Sequence, residues 1–154
     1  MKRQDKYPDT DTFTYYNANP KNKVTTDCWL RAISTGLNKD YVQVLREMVE
    51  VSIKTGYEVS DKRTIEKYLA ANNFVKMKQP RKYDNTKYTG SEWCNHLNSN
   101  GYTGNIIAMI GGHHIVAIKP TNSDGLNKKY KIHDTWNSSY KCIGNYYIKM
   151  KGNV

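Results

Sequence analysis

Cysteine is scarce in this chain and widely spread: Cys28, Cys94 and Cys142 are the three among 154 residues. An odd number at such spacing makes no disulfide framework, and there is no C-x-x-C pair of the kind that anchors zinc. Free thiols in a reducing cytoplasm are expected. Long apolar runs are missing too. The most apolar stretch, residues 105–119, is broken by Gly111-Gly112-His113-His114, far short of the ~20 residues that a membrane-crossing helix needs. No apolar segment follows the charged opening MKRQDKYPDT, so no secretory signal is expected. Phe and Trp number 2 and 3 and the apolar fraction is 38%, below the common range of about 45–50%. Tyrosine runs the other way, with 13 copies.

Negative charge is the last shortage. Fourteen acidic residues face 24 basic ones, for a net charge of +10. The basic residues are 19 Lys against 5 Arg, which suits a diffuse solvated field better than a surface that reads bases. Lys76, Lys78, Arg81 and Lys82 cluster, as do Lys128, Lys129 and Lys131, with Tyr83, Tyr88 and Tyr130 among them. Basic residues interleaved with aromatics can hold phosphates and stack bases. A basic binding module for nucleic acid is therefore one reading, although no nucleic-acid motif appears. The same field would equally steer an acidic protein substrate.

The length suits a single domain over 1–154, with no internal repeat and no low-complexity linker. Residues 1–24 are polar, carry Pro8 and Pro20, and read as an irregular arm. From Asp27 the pattern turns helical, with Thr26 or Asp27 able to cap a helix that begins at Cys28 and continues through Leu30, Ile33 and Leu37. A second helix is expected over 40–54, with Val44, Leu45, Met48, Val49, Val51 and Ile53 as its apolar stripe and Gly56 as its stop. A third starts at Ser60 or Asp61 and turns Ile65, Tyr68 and Leu69 inward. Thr89-Gly90-Ser91-Glu92 has the spacing of a capping box and opens a short helix that carries Trp93 and Leu97.

After Gly104 the period becomes that of strands, at 106–110, 115–119, 129–133 and 146–150. They are separated by Gly111-Gly112, by Asn122-Ser123-Asp124-Gly125 and by Asn137-Ser138-Ser139. Helices first and strands last predict an α+β fold, the helices on one side of a C-terminal antiparallel sheet.

Cys28 is the residue most open to chemistry. The unpaired amides and positive dipole end at a helix start favour the thiolate, whereas a free thiol titrates near ~8.5 and is largely idle at neutral pH. A thiol nucleophile needs a base. His96 lies in a polar helix and reads as solvated surface. His113 and His114 stand at the entrance to a strand, which fixes an imidazole well, and only one of two neighbours in a strand can face Cys28. His133 ends another strand beside Asp134 and reads as a satisfied strand residue. Asp134 is the natural partner to orient an imidazole, and Trp136 can cover the resulting hydrogen bond. Cys28, His113, His114, His133 and Asp134 could also meet at zinc, but adjacent strand histidines face opposite ways and no second Cys lies near. No metal or organic cofactor is expected.

Thr26-Asp27-Cys28-Trp29, then Gly112-His113-His114-Ile115-Val116-Ala117-Ile118, then His133-Asp134-Thr135-Trp136 together resemble the papain-like cysteine peptidase superfamily. The order is the family's: a cysteine on a helix, a histidine opening a strand, then a carboxylate or amide with Trp two residues on. Asp-Thr-Trp stands where papain-type enzymes have Asn-Ser-Trp. The Asp form is similar to the smaller bacterial and phage branches, such as peptidases that trim bacteriocin leaders. The resemblance spans about 22–150 through these three short motifs.

The resemblance implies a papain-like fold and a thiol hydrolase that cleaves a peptide, isopeptide or other amide bond without a cofactor. Cys28 is then the nucleophile, His114 the base and Asp134 its orienter, because the family's histidine is followed directly by apolar strand residues. Trp29 matches the aromatic that often follows the nucleophile, and His113 is left to line the cleft or face solvent. The family's oxyanion Gln lies some six residues before the cysteine, where this chain has Asn22, with Asn19 as the nearby alternative. The expected partner is a protein or peptide, and an acidic one suits the charge. A catalytically inactive papain-like fold and a basic binding module are the alternatives.

Overall fold

The structure, a computed structural model, describes residues 1–122 and 128–150. Its elements in chain order are α1 (Arg3–Lys6), β1 (Phe13–Tyr15), α2 (Cys28–Leu37), α3 (Tyr41–Thr55), α4 (Lys62–Ala71), β2 (Phe74–Met77), α5 (Gly90–Ser99), β3 (Ile106–Ile110), β4 (His114–Asn122), β5 (Lys128–Asp134) and β6 (Ile143–Lys149). The fold is α+β, as the segregation of helical and strand periods predicts.

Local chemistry explains the helix ends. The Asp40 carboxylate accepts from the Gln43 amide at the start of α3, and Gly56 stops that helix at φ +80°, a conformation in which a side chain would be strained. Asp61 accepts from the Arg63 amide at the start of α4. The expected capping box opens α5: Thr89 Oγ1 accepts from the Glu92 amide at 3.2 Å, and Glu92 Oε1 accepts from the Thr89 amide at 2.9 Å. Helix α2 differs. Asp27 precedes it without any side-chain cap, because the carboxylate is committed to Arg31, Tyr41 and Asn19 instead.

The sheet departs from expectation in three ways. It has six strands, in the order β1-β5-β4-β3-β6-β2, and it is mixed, since β1 runs parallel to β5 with Phe13 opposite Ile132. The polar arm thus supplies an edge strand and a short helix instead of remaining irregular. The opposite edge, β2, pairs antiparallel with β6. Both edge strands are short segments flanked by polar residues, too brief for a period-2 pattern to stand out.

Helices cover both faces of the sheet, not one. Alternation sends Ile106, Ala108 and Ile110 of β3 to a cluster with Trp93, Cys94 and Leu97 of α5. Ile107 goes to the other cluster, with Leu30 and Ile33 of α2, Val44 and Met48 of α3, and Leu69 of α4. A strand with no polar position, such as Ile-Ile-Ala-Met-Ile, is what burial on two faces requires. Along α3 the apolar stripe is narrower than expected, and Val49 and Ile53 stay exposed.

The Gly-Gly turn joins β3 to β4, and Asn137 Oδ1 accepts from the Ser139 amide in the expected Asn-Ser-Ser turn. Residues 123–125 of the other expected turn lie outside the described residues. Among those described, no helix is long and apolar enough to cross a membrane.

Candidate active site

Three elements converge on one point. Helix α2 brings Cys28 as its first residue, β4 brings His114 as its first and β5 brings Asp134 as its last. Gly111 and Gly112 take φ +63° and +90°, which lets the chain reverse tightly and start β4 at His114, paired to Ile110 of β3. Pairing to β3 at His114 itself, and to β5 from Ala117 onward, then holds the start of the strand that carries the imidazole.

His114 Nε2 lies 2.5 Å from Asp134 Oδ2, which leaves Nδ1 as the nitrogen to meet the Cys28 sulfur. The Trp136 ring lies 4.9 Å from the imidazole, centroid to centroid, and shields the His114–Asp134 bond from water. Burial works against a charged His114. Hydrogen bonds to Asp134 and Cys28 and their negative charge outweigh it, and the imidazole is pushed up to about 9. Burial likewise opposes the Cys28 thiolate. The bond from His114, its positive charge, the Ile115 amide and the Arg31 charge together bring the thiol below its ordinary value. Each of the two groups thus favours the charged form of the other. Cys94 is the contrast: fully buried without polar company, it is pushed up to about 12.

Asp134 is buried and held from three sides. Besides His114, Arg31 Nη1 donates to its Oδ1 at 2.6 Å and the Thr135 amide donates at 2.7 Å. Arg31 is itself buried, and its Nε donates at 2.9 Å to Asp27. Asp27 also accepts from the Tyr41 hydroxyl at 2.7 Å and the Asn19 amide at 3.1 Å. One guanidinium therefore ties the residue before Cys28 to the carboxylate behind His114. Sequence reasoning passed over Arg31, although its signal was there: a charged residue inside the run Leu30-Arg31-Ala32-Ile33, four positions after Asp27.

Neither carboxamide expected to complete an oxyanion site lines the cavity beside Cys28. Asn22 sits exposed in a left-handed turn at φ +54° and does not line the cavity beside Cys28. The Asn19 amide is taken by Asp27 and does not line it either. What the site offers an oxyanion is the start of α2, whose amides no side chain caps. His113 is exposed and lines the cavity, as does half-buried Trp29. His133 points away, with Nε2 3.3 Å from the Lys119 carbonyl, and its burial lowers it to about 4. His96 stacks on Trp93 at 5.2 Å, far from this convergence in the fold.

The cavity beside Cys28 encloses about 500 Å³ between α2, the start of α4 and the β3–β4 turn. A second cavity of about 430 Å³ shares Lys62, Met109 and Gly112 with it and extends to Cys142.

The basic clusters are less available than the sequence suggests. Lys76 pairs with Glu66 at 2.8 Å, and Lys82 pairs with Glu92. Tyr130 is buried, with its hydroxyl donating to the Gly104 carbonyl at 2.7 Å, and Tyr88 packs edge-on against Trp93. Of the three tyrosines only Tyr83 is free to stack a base, and the Lys128 side chain lies outside the described atoms.

A scan against protein-family models and searches of curated proteins and of solved structures found no match to this chain.

Proposed function

We propose that this protein is a papain-like thiol hydrolase that cleaves an amide bond in a protein or peptide, working where thiols stay reduced, as in the cytoplasm. The single observation that carries the reading is the convergence of Cys28, His114 and buried Asp134, in which His114 Nε2 lies 2.5 Å from Asp134 Oδ2 and the imidazole lowers the Cys28 thiol. Cys28 is a free cysteine, as a thiol nucleophile requires.

The chemistry runs as follows. The Cys28 thiolate attacks the carbonyl carbon, forming a C–S bond and a tetrahedral intermediate whose oxyanion faces the amides at the start of α2. Protonated His114 gives its proton to the leaving nitrogen as the C–N bond breaks. Neutral His114 then takes a proton from water, the hydroxide attacks the thioester, and the C–S bond breaks to restore the thiolate. Asp134 keeps the imidazole oriented and favours its protonated form throughout.

Alkylation by iodoacetamide, followed by mass spectrometry across pH, tests the reading. Cys28 should label faster than Cys94 and Cys142, with a half-rise below the ordinary thiol value. In His114→Ala that half-rise should move upward, because burial then acts on the sulfur with little to oppose it. Hydrolysis of a cleaved substrate should fall on the alkaline side near pH 9, where His114 loses the proton the leaving group needs. Slow, equal labelling of all accessible cysteines in wild type and variant would remove the proposal.

A further inference from the structure

The two cavities that meet at Lys62, Met109 and Gly112 form one groove from Cys28 to Cys142, and its charge is one-sided. Lys62 and Lys87 line it, and His113 stands at the Cys28 end, while no Asp or Glu does. Both lysines are exposed, and among the described residues no carboxylate lies within ion-pair distance of either. Glu66, one helical turn after Lys62, is already held by Lys76 at 2.8 Å and by the Tyr147 hydroxyl at 3.1 Å. Lys62 feels the Glu66 charge, but the ion pair of that carboxylate is with Lys76, so both ammonium groups keep room for a ligand. Gly112, where a Cβ would meet nothing within 4 Å, presents bare backbone on the same path, which admits an extended chain close to the wall.

We propose that the groove binds an extended acidic peptide segment, with Asp or Glu side chains of the substrate paired to Lys62 and Lys87 and the scissile amide over Cys28. The occupant is peptide and not nucleic acid because the groove ends at a thiol suited to carbonyl carbons, and its Trp29 is half-buried in the wall beside that thiol instead of standing out as a platform for stacked bases. Tyr147 in its wall is buried. This inference rests on the hydrolase reading for its choice of bond, but the charge preference is measurable without turnover.

Fluorescence anisotropy with three dye-labelled decapeptides, rich in Glu, Gln or Lys and otherwise identical, tests it on the full chain. The Glu peptide should bind at least about tenfold tighter than the Gln peptide, and Lys62→Glu with Lys87→Glu should abolish that margin and favour the Lys peptide. Lys54→Glu with Lys67→Glu makes the same change in net charge away from the groove, and should keep the margin. Equal binding of Glu and Gln peptides, or equal loss in both charge-reversed proteins, overturns the groove as the acidic-peptide site. So does a single-stranded oligonucleotide that displaces the Glu peptide and binds tighter through the same two lysines. Failure of the hydrolase reading registers separately, in the Cys28 labelling rates.

Discussion

At the scale of residues, the cluster of Cys28, His114 and Asp134 is braced by a buried cation. Arg31 sits between two carboxylates, Asp27 and Asp134, in a region that water scarcely reaches. Its two donors serve different partners through different nitrogens, which a single ammonium cannot imitate. Truncating it would leave buried Asp27 without a counter-charge and Asp134 with His114 alone, the expensive half of breaking a buried pair. Arg31→Met should therefore lower unfolding free energy by about 3–5 kcal/mol in urea at pH 7, with Arg31→Lys between it and wild type. Cys28 labelling in Arg31→Lys should slow as well, since Asp134 then loses a tether. A loss of less than about 1 kcal/mol in Arg31→Met would place the network at the level of a surface pair and undo this account. The positions of Cys28, His114 and Asp134 were legible because each stands at the end of an element whose period the sequence declares. Asn22 was not: it lies in a stretch without periodicity, where spacing from Cys28 says nothing of direction.

At the scale of elements, what places the sulfur is how closely α2 lies on the sheet. Gly36 makes that approach possible. A Cβ there would fall 2.5 Å from Ile107 Cγ1 and 2.8 Å from its Cδ1, inside any real contact. Gly36→Ala would gain up to about 1 kcal/mol in helix propensity. Pushing the helix off β3 should outweigh that gain, for a net loss of about 1–3 kcal/mol. Because α2 carries both Cys28 and Arg31, labelling of Cys28 should slow in the same variant. Pairing it with Ile107→Ala removes the obstructing atoms, so the double variant should be no less stable than Ile107→Ala alone. If the two losses simply add, the contact is not what sets the helix height. The helices themselves were readable from caps and periods, down to Asp40, Gly56 and the Thr89–Glu92 box. Their distribution over two faces was not inferred, although the all-apolar run of β3 states it. Exposed Val49 and Ile53 show the opposite lapse, since an apolar residue on a helix need not face a core.

At the scale of the whole molecule, the N-terminal arm closes the sheet on the side that holds Asp134. Phe13 is fully buried against β5, and the Ile132 amide donates to the Thr12 carbonyl at 2.9 Å. The Tyr16 amide donates to the Asp134 carbonyl at 2.9 Å, and Arg3 Nε donates to the Thr135 carbonyl at 2.7 Å. Thus the backbone of the very residues that orient His114 is fastened by the first sixteen residues of the chain. Nothing in the arm's composition announces this, because a three-residue strand gains its order from the partner it meets and not from its own pattern. Phe13→Ala should cost about 3–5 kcal/mol, the usual penalty for emptying a buried aromatic site. The informative readout is local. Hydrogen exchange at the Ile132 and Tyr16 amides should accelerate more than at the β3–β4 core, and under native conditions the Cys28 half-rise in labelling should shift upward, because a looser Asp134 supports the His114 charge less well. Phe13→Leu, which keeps most of the volume, should move both readouts in the same direction by less. Loss of stability with labelling unchanged would mean the arm stabilises the sheet without positioning the cluster of Cys28, His114 and Asp134. A shift in labelling that tracks exchange at Ile132 ties the edge strand to the chemistry at the helix start.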